Sequence, residues 1–129
     1  MEIWYADTSA VAKLIAPEAE TAALASWLAV RRWVISDLHR TELRRAARRA
    51  GPGTAARADR LLDELDTIAL TGDRFDDAGR IEPARLRSLD ALHLTAARAL
   101  GRDLAGIVAY DDRLLHAARH HGLATASPS

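Results

Sequence analysis

Four carboxylates in the 129-residue chain stand at positions where an acid can do more than solvate a surface. Asp7 directly follows the apolar, β-forming stretch "EIWYA" (Glu2 to Ala6), and Asp111 directly follows "GIVAY" (Gly106 to Tyr110). Asp90 falls in the first turn of a helix that opens near Ser88, in "LRSLDALHLTAA". Glu42 belongs to the helix after the short strand "RWVIS", about two turns in. Carboxylates gathered in one crevice repel one another and raise each other's pKa unless a cation neutralises them. The chain has no cysteine, and its acids outnumber its candidate histidines, so the natural counter-ion is the hard, oxygen-loving Mg²⁺ or Mn²⁺. Each acid also has a plainer account. Asp7, Asp90, Asp111 and Asp112 can cap helices or complement their dipoles, and Glu42 can pair with arginines one turn away. Only joint placement at one edge separates the two accounts.

The elements needed for that placement follow from local pattern. "DTS" behind the first strand supplies capping side chains for a helix over "SAVAKLIA", which Pro17 stops. "PEAETAALASWLAV" reads as a second helix with Pro17 in its first turn. After "RWVIS", Ser36 is placed to cap the long helix "DLHRTELRRAARRA", which ends at "GPG". "TAARADRLLDEL" is helical, and "DTIALT" has the look of a strand buried in a parallel sheet. A short helix around Arg74 to Gly79 and a Pro83-containing connection precede the helix from Ser88 to Leu100. "GIVAY", a helix over "DDRLLHAARHHG" and an edge strand at "LAT" complete the chain. Strands alternating with helices, without a repeat or linker, predict a single α/β domain: a mostly parallel sheet of four to five short strands flanked by helices. In such sheets the ligand crevice lies beyond the carboxyl ends of the strands, the edge where all four acids are expected.

Composition narrows the classes. Eighteen basic and eighteen acidic residues give a formal net charge of +0, so no global field draws nucleic acid or membrane. All the basic residues but Lys13 are arginine amid abundant alanine, so clustered arginine carries little information by itself. No apolar run is long enough to span a bilayer, and the N-terminus lacks the basic start of a signal peptide. The expected setting is the cytoplasm, without membrane association.

Four motifs, "WYADTSAVAKL", "SDLHRTELRRA", "LRSLDALHLTAA" and "VAYDDRLLHAA", together resemble the PIN-domain ribonucleases, most closely the VapC toxins of bacterial type II toxin-antitoxin systems. The likeness covers nearly the whole chain in order, and implies that residues 1–129 form a single PIN domain. It implies the PIN fold, with Asp7, Glu42, Asp90 and Asp111 as the acidic quartet that serves both as catalytic residues and as metal ligands, and Ser9 beside the metal. It further implies a Mg²⁺- or Mn²⁺-dependent endoribonuclease, a small cognate antitoxin as partner and a homodimer. A divalent cation activates water for in-line attack on a phosphodiester and neutralises charge on the phosphate. On this reading RNA is cut to leave 5′-phosphate and 3′-hydroxyl ends.

The remaining candidates have two readings each. In the doubled "DD", Asp111 aligns best, leaving Asp112 as helper or cap; Arg113 is the single best phosphate contact. His93 is a base, a ligand or, more ordinarily, a packed histidine, and His39 faces the site or solvent. Arg40, Arg44 and Arg48 form a stripe suited to an RNA backbone or to solvent. Leu89, Leu92 and Leu94 are the expected anchors of the Asp90 helix. Trp4, Trp27 and Trp33 belong to core or interface rather than to base stacking. A dehalogenase-like phosphatase needs an aspartate where Ser9 stands, and a receiver domain needs a late lysine where the chain has only Lys13. The serious rival is a catalytically silent PIN-like module that binds RNA or a protein partner.

Overall fold

A computed structural model describes residues 2–129. Five strands form one sheet: β1 (Ile3–Ala6), β2 (Arg32–Ser36), β3 (Thr67–Ile68), β4 (Leu104–Val108) and β5 (Thr125–Ala126). Their order is β3-β2-β1-β4-β5, and every pairing is parallel. The helices are α1 (Thr8–Ile15), α2 (Thr21–Ala29), α3 (Leu38–Ala50), α4 (Thr54–Glu64), α5 (Gly72–Arg80), α6 (Ser88–Arg98) and α7 (Asp112–His120).

Successive side chains of a strand point to opposite faces, which divides the core in two. Ile3 and Tyr5 of β1, with Val34 and Ile107, meet Leu94 of α6 and Leu114 and Leu115 of α7. Ala6, Ile35 and Val108 meet Val11 and Ile15 of α1, Leu24 and Leu28 of α2, Leu43 of α3 and Leu62 of α4. The central strands are therefore covered on both sides, which is why they read as unbroken apolar runs.

Several boundaries differ from the sequence expectation: α5 spans Gly72–Arg80 rather than Arg74 to Gly79, α6 ends at Arg98 rather than Leu100, and the last strand is Thr125–Ala126 rather than "LAT". The second helix begins at Thr21, not Pro17, because Glu18 and Glu20 both reach back to the Lys13 ammonium. Thr21 Oγ1 accepts from the Glu18 N–H and donates to the Lys13 carbonyl, each at 2.8 Å, so this segment closes a turn against α1. "DTIALT" contributes only two residues to the sheet, at its edge. Its partner β2 turns away at Asp37, whose Oδ2 takes the Leu70 N–H at 3.0 Å, so no ladder remains for a longer strand. β4 starts at Leu104 and ends at Val108, so two residues, Ala109 and Tyr110, separate it from Asp111.

Candidate active site at the carboxyl edge of the sheet

β1, β2 and β4 run parallel, so the segments leaving them emerge at one edge. Asp7 leaves β1 as the N-cap of α1: its Oδ1 accepts from the Ala10 N–H at 3.0 Å. Ser9 Oγ donates to the same carboxylate, 2.7 and 2.9 Å from its two oxygens, and accepts from the Tyr110 N–H at 2.9 Å. Ser9 thus joins the start of α1 to the exit of β4. Asp7 is buried, which pushes its carboxyl up to about 6 against the Ser9, His93 and Ala10 contacts that favour ionisation; the charge of Asp111 pushes the same way as burial.

Asp111 caps α7, accepting from the Arg113 N–H at 2.9 Å. Asp90 sits in the first turn of α6, and its carboxyl is raised by burial and then by the Asp111 charge, with His93, Arg113 and Arg87 opposing. Asp111 is therefore the acid whose charge reaches both Asp7 and Asp90. Asp112 and Arg113 are exposed and line, with Arg85, Arg87 and His116, a cleft of about 500 Å³ that reaches Asp90.

Glu42 is the fifth residue of α3, little more than one turn in. It is not the solvated partner of its neighbouring arginines. Its Oε1 accepts from Thr8 Oγ1 at 2.8 Å and from His93 Nε2 at 2.6 Å. Burial alone would raise this carboxyl, but the bond from His93 and its charge, with Thr8 and His39, hold it below the usual range. The same residue lines a larger cleft, about 770 Å³, between α1, α3, α5 and α6.

His93 is buried between the acids and continues inward. Its Nδ1 lies 2.6 Å from the Tyr5 hydroxyl, which is 2.9 Å from Ser36 Oγ. With Nε2 donating to Glu42, either protonation state of Nδ1 is accommodated: Tyr5 donates to a bare Nδ1, or accepts from Nδ1–H and passes its own hydrogen to Ser36. Burial, ahead of every other effect, lifts the Tyr5 hydroxyl far above its ordinary pKa, so it stays a neutral hydrogen-bonding group. His39 faces neither site nor solvent: it is wholly buried, its Nε2–H donating to the Ala6 carbonyl at 2.8 Å and its Nδ1 accepting from the Ser36 N–H at 3.2 Å. Burial first, and then the charge of His93, lowers it to about 4.

The structure thus places the charge of Asp111 where both Asp7 and Asp90 feel it, ties Glu42 to them through His93, and uses Ser9 as a strut. Among the described residues, no three His, Asp or Glu side chains are drawn together into a ready metal-ligand cluster. The donor set still suits a hard divalent cation: all oxygen, two of the carboxyls raised by burial and by a neighbouring acid. The sequence reading missed Thr8, Tyr5 and Ser36, whose hydroxyls look like turn and strand residues until the fold places them. Of its two readings, the arginine stripe follows the solvent one: Arg40, Arg44 and Arg48 are exposed. Arg44 turns to Asp59 on α4 at 3.1 Å, whereas Arg45 and Arg49 line the cleft beside Glu42.

An all-parallel sheet with acids gathered at its carboxyl edge agrees with the PIN class, and the PIN-domain family model matches residues 4–120. Ribonuclease VapC47 of Mycobacterium tuberculosis is 46% identical over 96% of both chains, and Ribonuclease VapC46 of the same species is 40% identical over 97% of both. A crystal structure of Mycobacterium tuberculosis VapC20, titled a sarcin-ricin loop cleaving toxin, superposes with a TM-score of 0.75 over 97% of this chain and 99% of that one, at 19% identity. The chain belongs to the VapC ribonucleases of the PIN-domain family.

Proposed function

We propose that the protein is a Mg²⁺- or Mn²⁺-dependent endoribonuclease acting as the toxin of a toxin-antitoxin pair. What carries this reading is the arrival of Asp7, Glu42, Asp90 and Asp111 at one sheet edge in a chain whose curated relatives are named ribonucleases. Asp7 and Asp90 would be the direct ligands of the cation, with Glu42 and Asp111 completing the shell or holding its waters. When bound, the cation supplies activated water and neutralises charge on the scissile phosphate. Ser9 fixes the Asp7 carboxylate, and Thr8 with His93 fixes Glu42 Oε1, so these acids are oriented before substrate arrives. Arg113, at the mouth of the Asp90 cleft, is placed to contact a phosphate, and Asp112 beside it remains a helper or cap.

Partnering is proposed on the same family ground: a small antitoxin, and a homodimer, in the cytoplasm. The 770 Å³ cleft offers such an antitoxin an apolar surface at half-exposed Phe75 and Leu89, next to Arg45 and Arg49. Among the described residues, no helix is long and apolar enough to cross a membrane. The silent-module alternative draws on one observation, the lack of a ready ligand cluster among the described residues.

One experiment separates the two readings. Purified protein incubated with RNA and Mg²⁺ or Mn²⁺ is expected to cut it to 5′-phosphate and 3′-hydroxyl ends, with activity lost in EDTA and in Asp90→Asn while the fold is retained. Cyclic phosphate ends that persist in EDTA would overturn the mechanism; partner binding with no cleavage under any metal would favour the module.

A further inference from the structure

Tyr5 carries a hydroxyl where packing asks only for a ring. It stands on β1, wholly buried in the core cluster that holds Val34, Leu94 and Ile107, and a phenylalanine there would need no polar partner. Buried hydroxyls are hydrogen-bonded, and the partners of this one lead to the acidic edge. It lies 2.6 Å from His93 Nδ1 and 2.9 Å from Ser36 Oγ. Ser36 is also wholly buried, and its Oγ accepts from the Leu38 N–H, at the start of α3, at 3.3 Å.

The His39 ring meets His93 edge-on at 5.3 Å, but both its nitrogens are engaged by backbone, one with the Ala6 carbonyl and one with the Ser36 N–H. Among the described residues, Tyr5 is therefore the polar partner of Nδ1. On the other side of the ring, Nε2 meets Glu42 Oε1 at 2.6 Å, the same oxygen that accepts from Thr8 Oγ1 at 2.8 Å. A half-turn of the imidazole would put carbon against both Tyr5 and Glu42, so the Tyr5 bond holds the ring the right way round for Glu42. Two donors on Oε1 leave Oε2 without a hydrogen bond from the described residues, on a side chain 25% exposed.

We propose that Tyr5 is a positioning residue of the acidic site, acting through His93: its hydroxyl, backed by Ser36, locks the ring so that Nε2–H engages Glu42 Oε1 and Oε2 stays free for a divalent cation. The role of Oε2 rests on the metal-dependent reading of the site. The lock on His93 rests on the hydrogen bonds alone.

Two measurements on the full-length protein test this. Water exchange of the His93 Nε2–H is followed by ¹⁵N NMR without metal, and Mn²⁺ affinity is titrated, for the parent, Tyr5→Phe, His93→Leu and the double variant. Tyr5→Phe is expected to speed that exchange about tenfold or more while backbone amides of β1 and α6 keep the parental rates. It should also weaken Mn²⁺ binding about tenfold, the scale of losing a group that orients a metal ligand. In the His93→Leu background the same substitution should change Mn²⁺ affinity by no more than about twofold, because its effect passes through His93. Parental Nε2–H exchange in Tyr5→Phe, or an equal loss of Mn²⁺ affinity in both backgrounds, overturns the proposal. If Tyr5→Phe fails to fold, Ser36→Ala leaves every ring in place and should speed the exchange in the same direction; a parental rate there overturns it equally. Absence of Mn²⁺ binding by the parent overturns the metal reading and with it the role of Oε2, while the exchange rates still decide the lock.

Discussion

Asp7 is the costliest acid in the molecule to keep ionised. Its carboxyl is buried and raised from 3.8 to about 6, which means that the folded, cation-free protein is destabilised when that group carries its charge. A neutral amide keeps the oxygen that accepts from the Ala10 N–H while removing the desolvated charge. Asp7→Asn is therefore expected to raise the unfolding free energy of metal-free protein at neutral pH by about 1–2 kcal/mol while abolishing RNA cleavage. Thermal melts in EDTA check the first half, and a lower melting temperature would contradict the assignment of Asp7 as a strained functional acid. Local pattern was sufficient to find this residue: an acid directly after a strand and directly before a helix has one place to go. His93 was different, since its neighbours Tyr5 and Glu42 are 88 and 51 residues away in sequence. Helical spacing marks which residues share a side of α6; it carries no information about the strand or helix on the other side.

At the scale of elements, α3 is fastened to the sheet by His39. The neutral imidazole bridges the Ala6 carbonyl at the end of β1 and the Ser36 N–H at the end of β2. Burial lowers its pKa from 6.5 to about 4, so the unfolded chain binds a proton between those values and the folded chain does not. Stability from this group is full above pH 6.5 and falls as the pH drops towards 4, by about 3 kcal/mol in total. His39→Gln, which can still donate and accept, is expected to lose most of that acid sensitivity; urea unfolding at pH 7 and pH 4.5 measures it. An unchanged pH slope in the variant would mean that other groups carry the linkage. The α6 helix shows how pattern and packing part company. Leu94 is fully buried as an anchor, but Leu89 is 52% exposed and faces the cleft beside Glu42. A leucine in a first helical turn is apolar whether it meets the core or a partner, so composition alone assigned it to the core.

For the molecule as a whole, the open parallel sheet depends on a tight approach at β4. A side chain at Gly106 would run into the Ala124 carbonyl and lie 2.7 Å from the Trp4 ring, where β4 sits between β1 and the approach to β5. Gly106→Ala must displace backbone or an indole held edge-on to Trp27 at 4.7 Å, and is expected to cost about 1–3 kcal/mol, read as a lower urea midpoint. Wild-type stability would show that the sheet has slack there. With a formal net charge of +0, any phosphate recognition depends on local clusters such as the arginines of the Asp90 cleft.

The sequence by itself determined the alternation of strand and helix, the parallel sheet and the edge at which the four acids emerge. Those follow from local rules: apolar runs make strands, capping acids follow them, and parallel strands send their exits one way. The tertiary structure alone decided that Glu42 is held by His93 and Thr8, that His39 is buried rather than facing the site, and that Arg45 and Arg49 line the cleft instead of Arg44. Each of these is a meeting between segments far apart in the chain. Periodicity fixes which residues lie side by side on one element, whereas the partner across the interface is chosen by packing.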